Sequence, residues 1–154
     1  MIKQLNQPKN ESEIKQHWKY TDRVYISCVC IVFNQEKYIQ DTINGFLAQI
    51  SEYKFEIVIH DDVSTDNTRK ILLEYKNKYP SIIKLILQKE NQYQQGKKIT
   101  SIAISHANGE FIALCEGDDF WIDNKKLQQQ IVLLNKNINI CISKAISLYS
   151  DNSL

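Results

Sequence analysis

Apolar positions along this chain switch repeatedly between two spacings. Val24 to Phe33 (VYISCVCIVF) is almost continuously apolar and rich in β-branched residues, which predicts a strand buried on both faces. From Lys37 to Ile50 the apolar positions Tyr38, Ile39, Ile43, Phe46, Leu47 and Ile50 follow helical spacing. Phe55 to His60 (FEIVIH) predicts a second strand. Asp66 and Asn67 are suited to cap a helix that carries Ile71, Leu72 and Tyr75 on one face and stops before Pro80. Ile82 to Leu87 predicts a third strand, Ile99 to Ala107 a helix, and Glu110 to Cys115 a fourth strand. Lys125 to Asn135 predicts a further helix and Ile138 to Ser143 a fifth strand. Ahead of all this, residues 1–23 form a polar arm in which Ile14 and Trp18 share one face of a short helix.

Strands alternating with helices predict βαβ units, hence an α/β fold with a mostly parallel sheet and helices on both faces. In such sheets ligands bind beyond the carboxyl ends of the strands. That rule selects three loops: Asn34 to Glu36, Asp61 to Asp66, and Glu116 to Asp119.

Composition narrows the chemistry. The 154 residues are 43% hydrophobic and 24% charged, as expected for a globular domain, with residues 24–154 as its body. Nineteen basic against eighteen acidic side chains leave a formal charge of +1, so no global field draws nucleic acid or anionic lipid. Four glycines supply neither a G-x-G-x-x-G nor a G-x-x-x-x-G-K-[ST] loop. No apolar run is long enough to span a bilayer, and the polar amino terminus lacks the core of a secretory signal. The expected location is the cytoplasm, with peripheral attachment at the inner face of the membrane as an option. Cys28, Cys30, Cys115 and Cys141 lack C-x-x-C spacing and read as reduced, buried small hydrophobes, with Cys28 and Cys30 on one strand face.

The acids are concentrated in the selected loops. Asp61, Asp62 and Asp66 follow the second strand; Glu116, Asp118 and Asp119 follow the fourth. Carboxylates gathered at adjacent strand ends need a positive partner. A hard divalent cation, Mn²⁺ or Mg²⁺, bridging carboxylates and a substrate phosphate meets that need. Gly117, between the acids, allows a tight turn or a close approach.

Three stretches in order, IVFNQEKYI (Ile31 to Ile39), EIVIHDDVSTDNT (Glu56 to Thr68) and NGEFIALCEGDDFW (Asn108 to Trp121), resemble the nucleotide-sugar half of glycosyltransferase family 2, of the GT-A fold. The resemblance runs from about Tyr25 to Asn135. It implies an inverting sugar transferase with a nucleotide-diphosphate donor, a UDP-sugar foremost, and a carbohydrate or lipid-linked acceptor. It places Phe33 and Asn34 beside the base, with Phe where the family commonly has Tyr, and Ile31, where Pro is common, among the nucleotide-binding residues. It implies that Asp62 accepts from the base imide with Asp61 alongside, and that Asp118 ligates the metal with support from Asp119. Glu116 would sit near the ribose or behind the metal, with Gly117 in the same turn, and Lys97 or Lys98 would face the nucleotide.

The family's general base lies further along, in the acceptor half, and no candidate for it precedes Leu154. The chain is therefore expected to be truncated before that half, and a donor-binding remnant without transferase activity is the alternative. A phospho-receiver domain is excluded, because the first strand ends in Phe33-Asn34 and the third in Leu87-Gln88 rather than in acids. A nucleotidyltransferase would need a Gly-rich basic loop after the first strand. His60, His106 and His17 have no metal spacing, and Trp121 reads as a core or loop anchor.

Overall fold

The structure is a computed structural model, and it describes residues 4–136 and 138–147. Four parallel strands, β1 (Ile26–Val32), β2 (Phe55–Asp61), β3 (Ile83–Leu87) and β4 (Phe111–Glu116), form one sheet in the order β3-β2-β1-β4. The helices are α1 (Glu11–Lys15), α2 (Ile39–Leu47), α3 (Thr68–Lys78), α4 (Ile99–Ser105) and α5 (Lys126–Leu134). This is a parallel sheet flanked by helices, as the alternation of spacings predicts.

The two-residue period of β1 sorts its side chains. Ile26, Cys28, Cys30 and Val32 enter the larger core with Ile39, Ile43 and Phe46 of α2, Leu72 and Tyr75 of α3, and Leu127 and Ile131 of α5. Val29 faces the opposite side, where it joins Val58 and Ala103 of α4. Cys28 and Cys30 do share one face, fully buried as free thiols, and burial pushes both well above the ordinary thiol range. β4 alternates differently: Phe111, Ala113 and Cys115 pack inward, whereas Ile112 and Leu114 are exposed.

The amino-terminal segment is tied to this core. The Asn10 side chain accepts from Glu13 N and starts α1, Ile14 is buried, and the Trp18 ring meets Phe55 edge-on at 5.6 Å. The predicted fifth strand is corrected. Ile138 to Ser143 is irregular, and Ile140 and Ile142 are exposed. Its apolar alternation satisfies a strand only if backbone partners are available, and this segment makes no ladder with β4. Residues 139–143 instead line a cleft of about 490 Å³ with β4 and α5.

Parallel register brings the loops of interest to one edge. Ile31 is opposite His60 on β2 and Glu116 on β4, and Val32 is opposite Asp61. β1 therefore ends between the two acidic loops.

Candidate donor-binding site

The loop after β1 is locked to the loop after β2. Asn34 takes a left-handed φ of 55°, a conformation Asn tolerates, and its Oδ1 accepts from Thr65 N at 2.7 Å. Its own N–H donates to Ser64 Oγ at 2.9 Å, Gln35 N to Thr68 Oγ1 at 2.8 Å, and Glu36 N to Asp66 Oδ2 at 3.1 Å. Asp66 Oδ1 accepts from Thr68 N at 2.9 Å, so this acid serves the start of α3. Burial pushes its carboxyl up, but hydrogen bonds from the Thr68 hydroxyl and from the N–H groups of Thr68 and Glu36 outweigh it and hold the group below the usual range. Val63, a β-branched residue, has φ 67°, a strained conformation held between Asp62 and Ser64. Phe33 is left with its ring exposed beside this junction.

The two aspartates of β2 have different partners. Asp61 is fully buried; its Oδ2 accepts from Arg69 Nε at 2.6 Å and its Oδ1 from Ser64 N at 3.2 Å. The positive partner for this acid is therefore Arg69 of α3, which the sequence reading did not single out. Asp–x₇–Arg spacing across a strand-to-helix turn is the signal that could have found it. Asp62, also buried, turns its carboxylate toward the loop between β3 and α4. There Gln92 N donates to Oδ1 at 2.7 Å and Tyr93 N to Oδ2 at 3.0 Å. In that loop Lys97 Nζ donates to Gln92 Oε1 at 2.6 Å, and Lys98 is exposed at the start of α4.

The loop after β4 is held from below. Thr42 of α2 is buried with its Oγ1 3.0 Å from the Gly117 carbonyl and 2.6 Å from that of Asp119. Gly117 is buried against β1: a Cβ there would stand 2.5 Å from Val32 Cγ1 and 2.0 Å from Gln35 Oε1. That close approach is what the glycine between the acids permits. Gln35 Oε1 is itself buried without a hydrogen-bond partner among the described residues. Trp121 anchors the far end of the turn, edge-on to Phe46 at 4.7 Å and capped by the Lys126 ammonium at 4.6 Å. Glu116, Asp118 and Asp119 are left exposed.

A shallow cleft of about 270 Å³ joins Ile31, Glu116 and Asp119 to Thr100 of α4. Ile31, Phe33, Asn34, Asp61, Asp62, Glu116, Gly117, Asp118 and Asp119 thus gather at the carboxyl edge of three neighbouring strands. No group of three or more potential ligands is preassembled for a metal among the described residues. The donors on the β4 loop are hard, exposed oxygens, which suit Mn²⁺ or Mg²⁺ held by one or two carboxylates and completed by phosphate and water. The residues present fit such an ion. Among the described residues, no helix is long and apolar enough to cross a membrane.

The chain is similar to known proteins. A protein of Mycobacterium tuberculosis that bears no functional name is 38% identical over 132 residues, 83% of this chain and 37% of its own length. The glucosyltransferase WfgD of Escherichia coli, named as acting with UDP-Glc on α-D-GlcNAc-diphosphoundecaprenol, is 36% identical over 117 residues, 75% of this chain and 43% of its own. Residues 1–349 of TarS from Staphylococcus aureus, solved in complex with UDP-GlcNAc, match with a TM-score of 0.62 at 29% identity, over 73% of this chain and 32% of that one. The mannosyltransferase PcManGT of Pyrobaculum calidifontis, solved with GDP-Man and Mn²⁺, shares the fold, with a TM-score of 0.60 at 23% identity over 74% of this chain and 34% of its own. The chain thus spans only about two fifths of the length of these curated relatives. The model of Glycosyl transferase family 2 matches residues 27–152, from the first residues of β1 past the acidic turn and α5, and the chain belongs to that family.

Proposed function

We propose that this chain is the donor-binding part of an inverting glycosyltransferase that uses a nucleoside-diphosphate sugar, a UDP-sugar foremost. The observation that carries this reading is the placement of β1 between two acidic loops, one buried and internally neutralised, the other exposed. The buried loop, with Asp61 on Arg69 and Asp62 on backbone N–H groups, builds a rigid wall for a base beside Phe33. Asp62 retains acceptor capacity, since an ionised carboxylate offers about four lone-pair sites and two are taken. The exposed loop, pinned by Thr42 at the carbonyls of Gly117 and Asp119 on either side of Asp118, presents carboxylates where a diphosphate would lie.

The roles follow from charge. Cleavage of a sugar–diphosphate bond leaves negative charge on the departing nucleotide. Asp118 and Asp119 would hold a divalent cation there, which when bound would supply Lewis-acid stabilisation of that charge. Phe33 stacks on the base, Ile31 and Glu116 border the ribose, and Lys98 faces the phosphates. Names of relatives support the donor class: WfgD takes UDP-Glc and TarS was solved with UDP-GlcNAc. Bacterial surface glycan synthesis, with a carbohydrate or lipid-linked acceptor and a cytoplasmic site of action, fits those relatives. The general base that deprotonates the acceptor is assigned to no residue of this chain.

Calorimetric titration of UDP in the presence of Mn²⁺, repeated with EDTA and with Asp118→Ala, tests the reading. Binding is expected with the metal and lost in both other arms, while Asp118→Ala keeps the fold because its side chain is exposed. Equal affinity with and without EDTA would remove the metal's role, and no binding in any arm would remove the donor site.

A further inference from the structure

We propose that Tyr93 is a base-contacting residue of the donor site, held in position by Asp62; this rests on the nucleotide reading above. The sequence motifs leave the segment from Gln88 to Gly96 without a role. In the structure it is a compact loop closed by its own bonds. Gln94 N donates to Asn91 Oδ1 at 2.8 Å, Gly96 N to Tyr93 O at 2.9 Å, and Lys97 N to Gln92 O at 3.1 Å. Gly96 turns it through a positive φ of 72°. Gln88, at the loop's start, continues from β3 and donates its N–H to Asp61 O at 3.0 Å; beyond that, Asp62 fastens the loop to the sheet edge. Both carboxylate oxygens of Asp62 accept backbone N–H groups of the loop, and the Asp62 carbonyl accepts from Asn91 Nδ2 at 3.4 Å.

That fastening fixes the backbone of Tyr93 and leaves its ring in water. Tyr93 is 72% exposed, more than any other aromatic residue among those described. A ring that contributes nothing to the core, on a backbone already immobilised, can accept a flat ligand at little further entropic cost. The neighbourhood supplies the other wall. Asp62 N donates to Val32 O at 3.1 Å, and Phe33, the next residue, is also an exposed ring. Asp62 therefore binds through its backbone to the strand end that carries Phe33 and through its carboxylate to the loop that carries Tyr93. A heterocycle whose N–H met the remaining lone pairs of Asp62 would lie between the two segments that carry these exposed rings. A single aromatic face gives weak selection for a base; a second ring beside the acceptor adds affinity only for ligands that carry a base.

The test separates base from phosphate. UDP and inorganic pyrophosphate are titrated, each with Mn²⁺, into the wild-type chain, Tyr93→Ala and Tyr93→Phe. Loss of one stacked ring weakens UDP binding by about tenfold or more in Tyr93→Ala, leaves pyrophosphate binding unchanged, and spares Tyr93→Phe. Unchanged UDP affinity in Tyr93→Ala overturns the proposal alone. Equal weakening of UDP and pyrophosphate also overturns it, because the ring would then support the loop rather than the base. A wild-type chain that binds pyrophosphate but not UDP overturns both the proposal and the nucleotide reading beneath it.

Discussion

Thr42, buried on α2, holds the acidic turn by its backbone: its hydroxyl lies 2.6 Å from the carbonyl of Asp119, with that of Gly117 at 3.0 Å. One hydroxyl proton serves two acceptors, with the shorter contact favoured. The carboxylates of Asp118 and Asp119 are thereby oriented from a helix that carries no acid of the site.

Thr42→Val keeps the volume and removes the donor. It leaves the buried Gly117 carbonyl without its partner, a loss of about 1–3 kcal/mol. Urea unfolding is expected to show that loss, and metal-dependent UDP binding is expected to weaken, while Thr42→Ser restores both. A Thr42→Val chain as stable as the wild type would mean that the turn is held elsewhere.

What the residue pattern revealed, and what it did not, divides along a physical line. Strands such as VYISCVCIVF and the acids at their ends are local signals, because burial on both faces and strand-end placement each leave a mark within ten residues. Boundaries fell within a residue or two for β1 and α5. The partners of the acids are non-local. Arg69 meets Asp61 across a turn, Tyr93 meets Asp62 from a separate loop, and Thr42 meets Asp119 from 77 positions away. Of these, only the Asp–x₇–Arg pair leaves a spacing signal; nothing in the pattern of polar residues reports the other two. The segment from Ile138 to Ser143 shows the reverse error: its alternation is a strand signal, but a strand exists only with a partner.

Arg69 and Asp61 form the second test. Asp61 is fully buried, and the guanidinium also donates through Nη2 to Gln88 O at 2.9 Å, tying α3 to the end of β3. Removing one member of a buried pair leaves an uncompensated charge. Arg69→Met is therefore expected to cost about 3 kcal/mol, the lower end of the usual range because the Arg69 side chain is one third exposed. The double variant Asp61→Asn with Arg69→Met removes the charge as well and is expected to recover most of that loss. Chemical denaturation of the four chains gives the coupling; simple additivity of the two single changes would show that the pair is not energetically linked.

His60 makes stability depend on pH. Its side chain is fully buried, with Nε2 3.1 Å from the Gln88 amide nitrogen and Nδ1 without a hydrogen-bond partner among the described residues. The Gln88 amide nitrogen is a donor, so the neutral ring accepts from it at Nε2; the charged imidazole carries N–H on both nitrogens and meets no acceptor at either among the described residues. Burial accordingly holds the ring below its ordinary value of 6.5, aided by the nearby His106 and opposed by Asp62 and Asp61. The sign follows. Below 6.5 the unfolded chain takes up a proton that the folded chain resists, so the unfolded state binds more protons and stability falls as pH falls. Above that value neither state holds the proton and the contribution is constant. Urea midpoints measured between neutral and mildly acidic pH are expected to drop in the wild-type chain. His60→Gln, which cannot take up the proton, is expected to flatten that drop whatever its own baseline stability. If the variant loses as much stability on acidification as the wild type, the linkage belongs to a carboxylate rather than to His60.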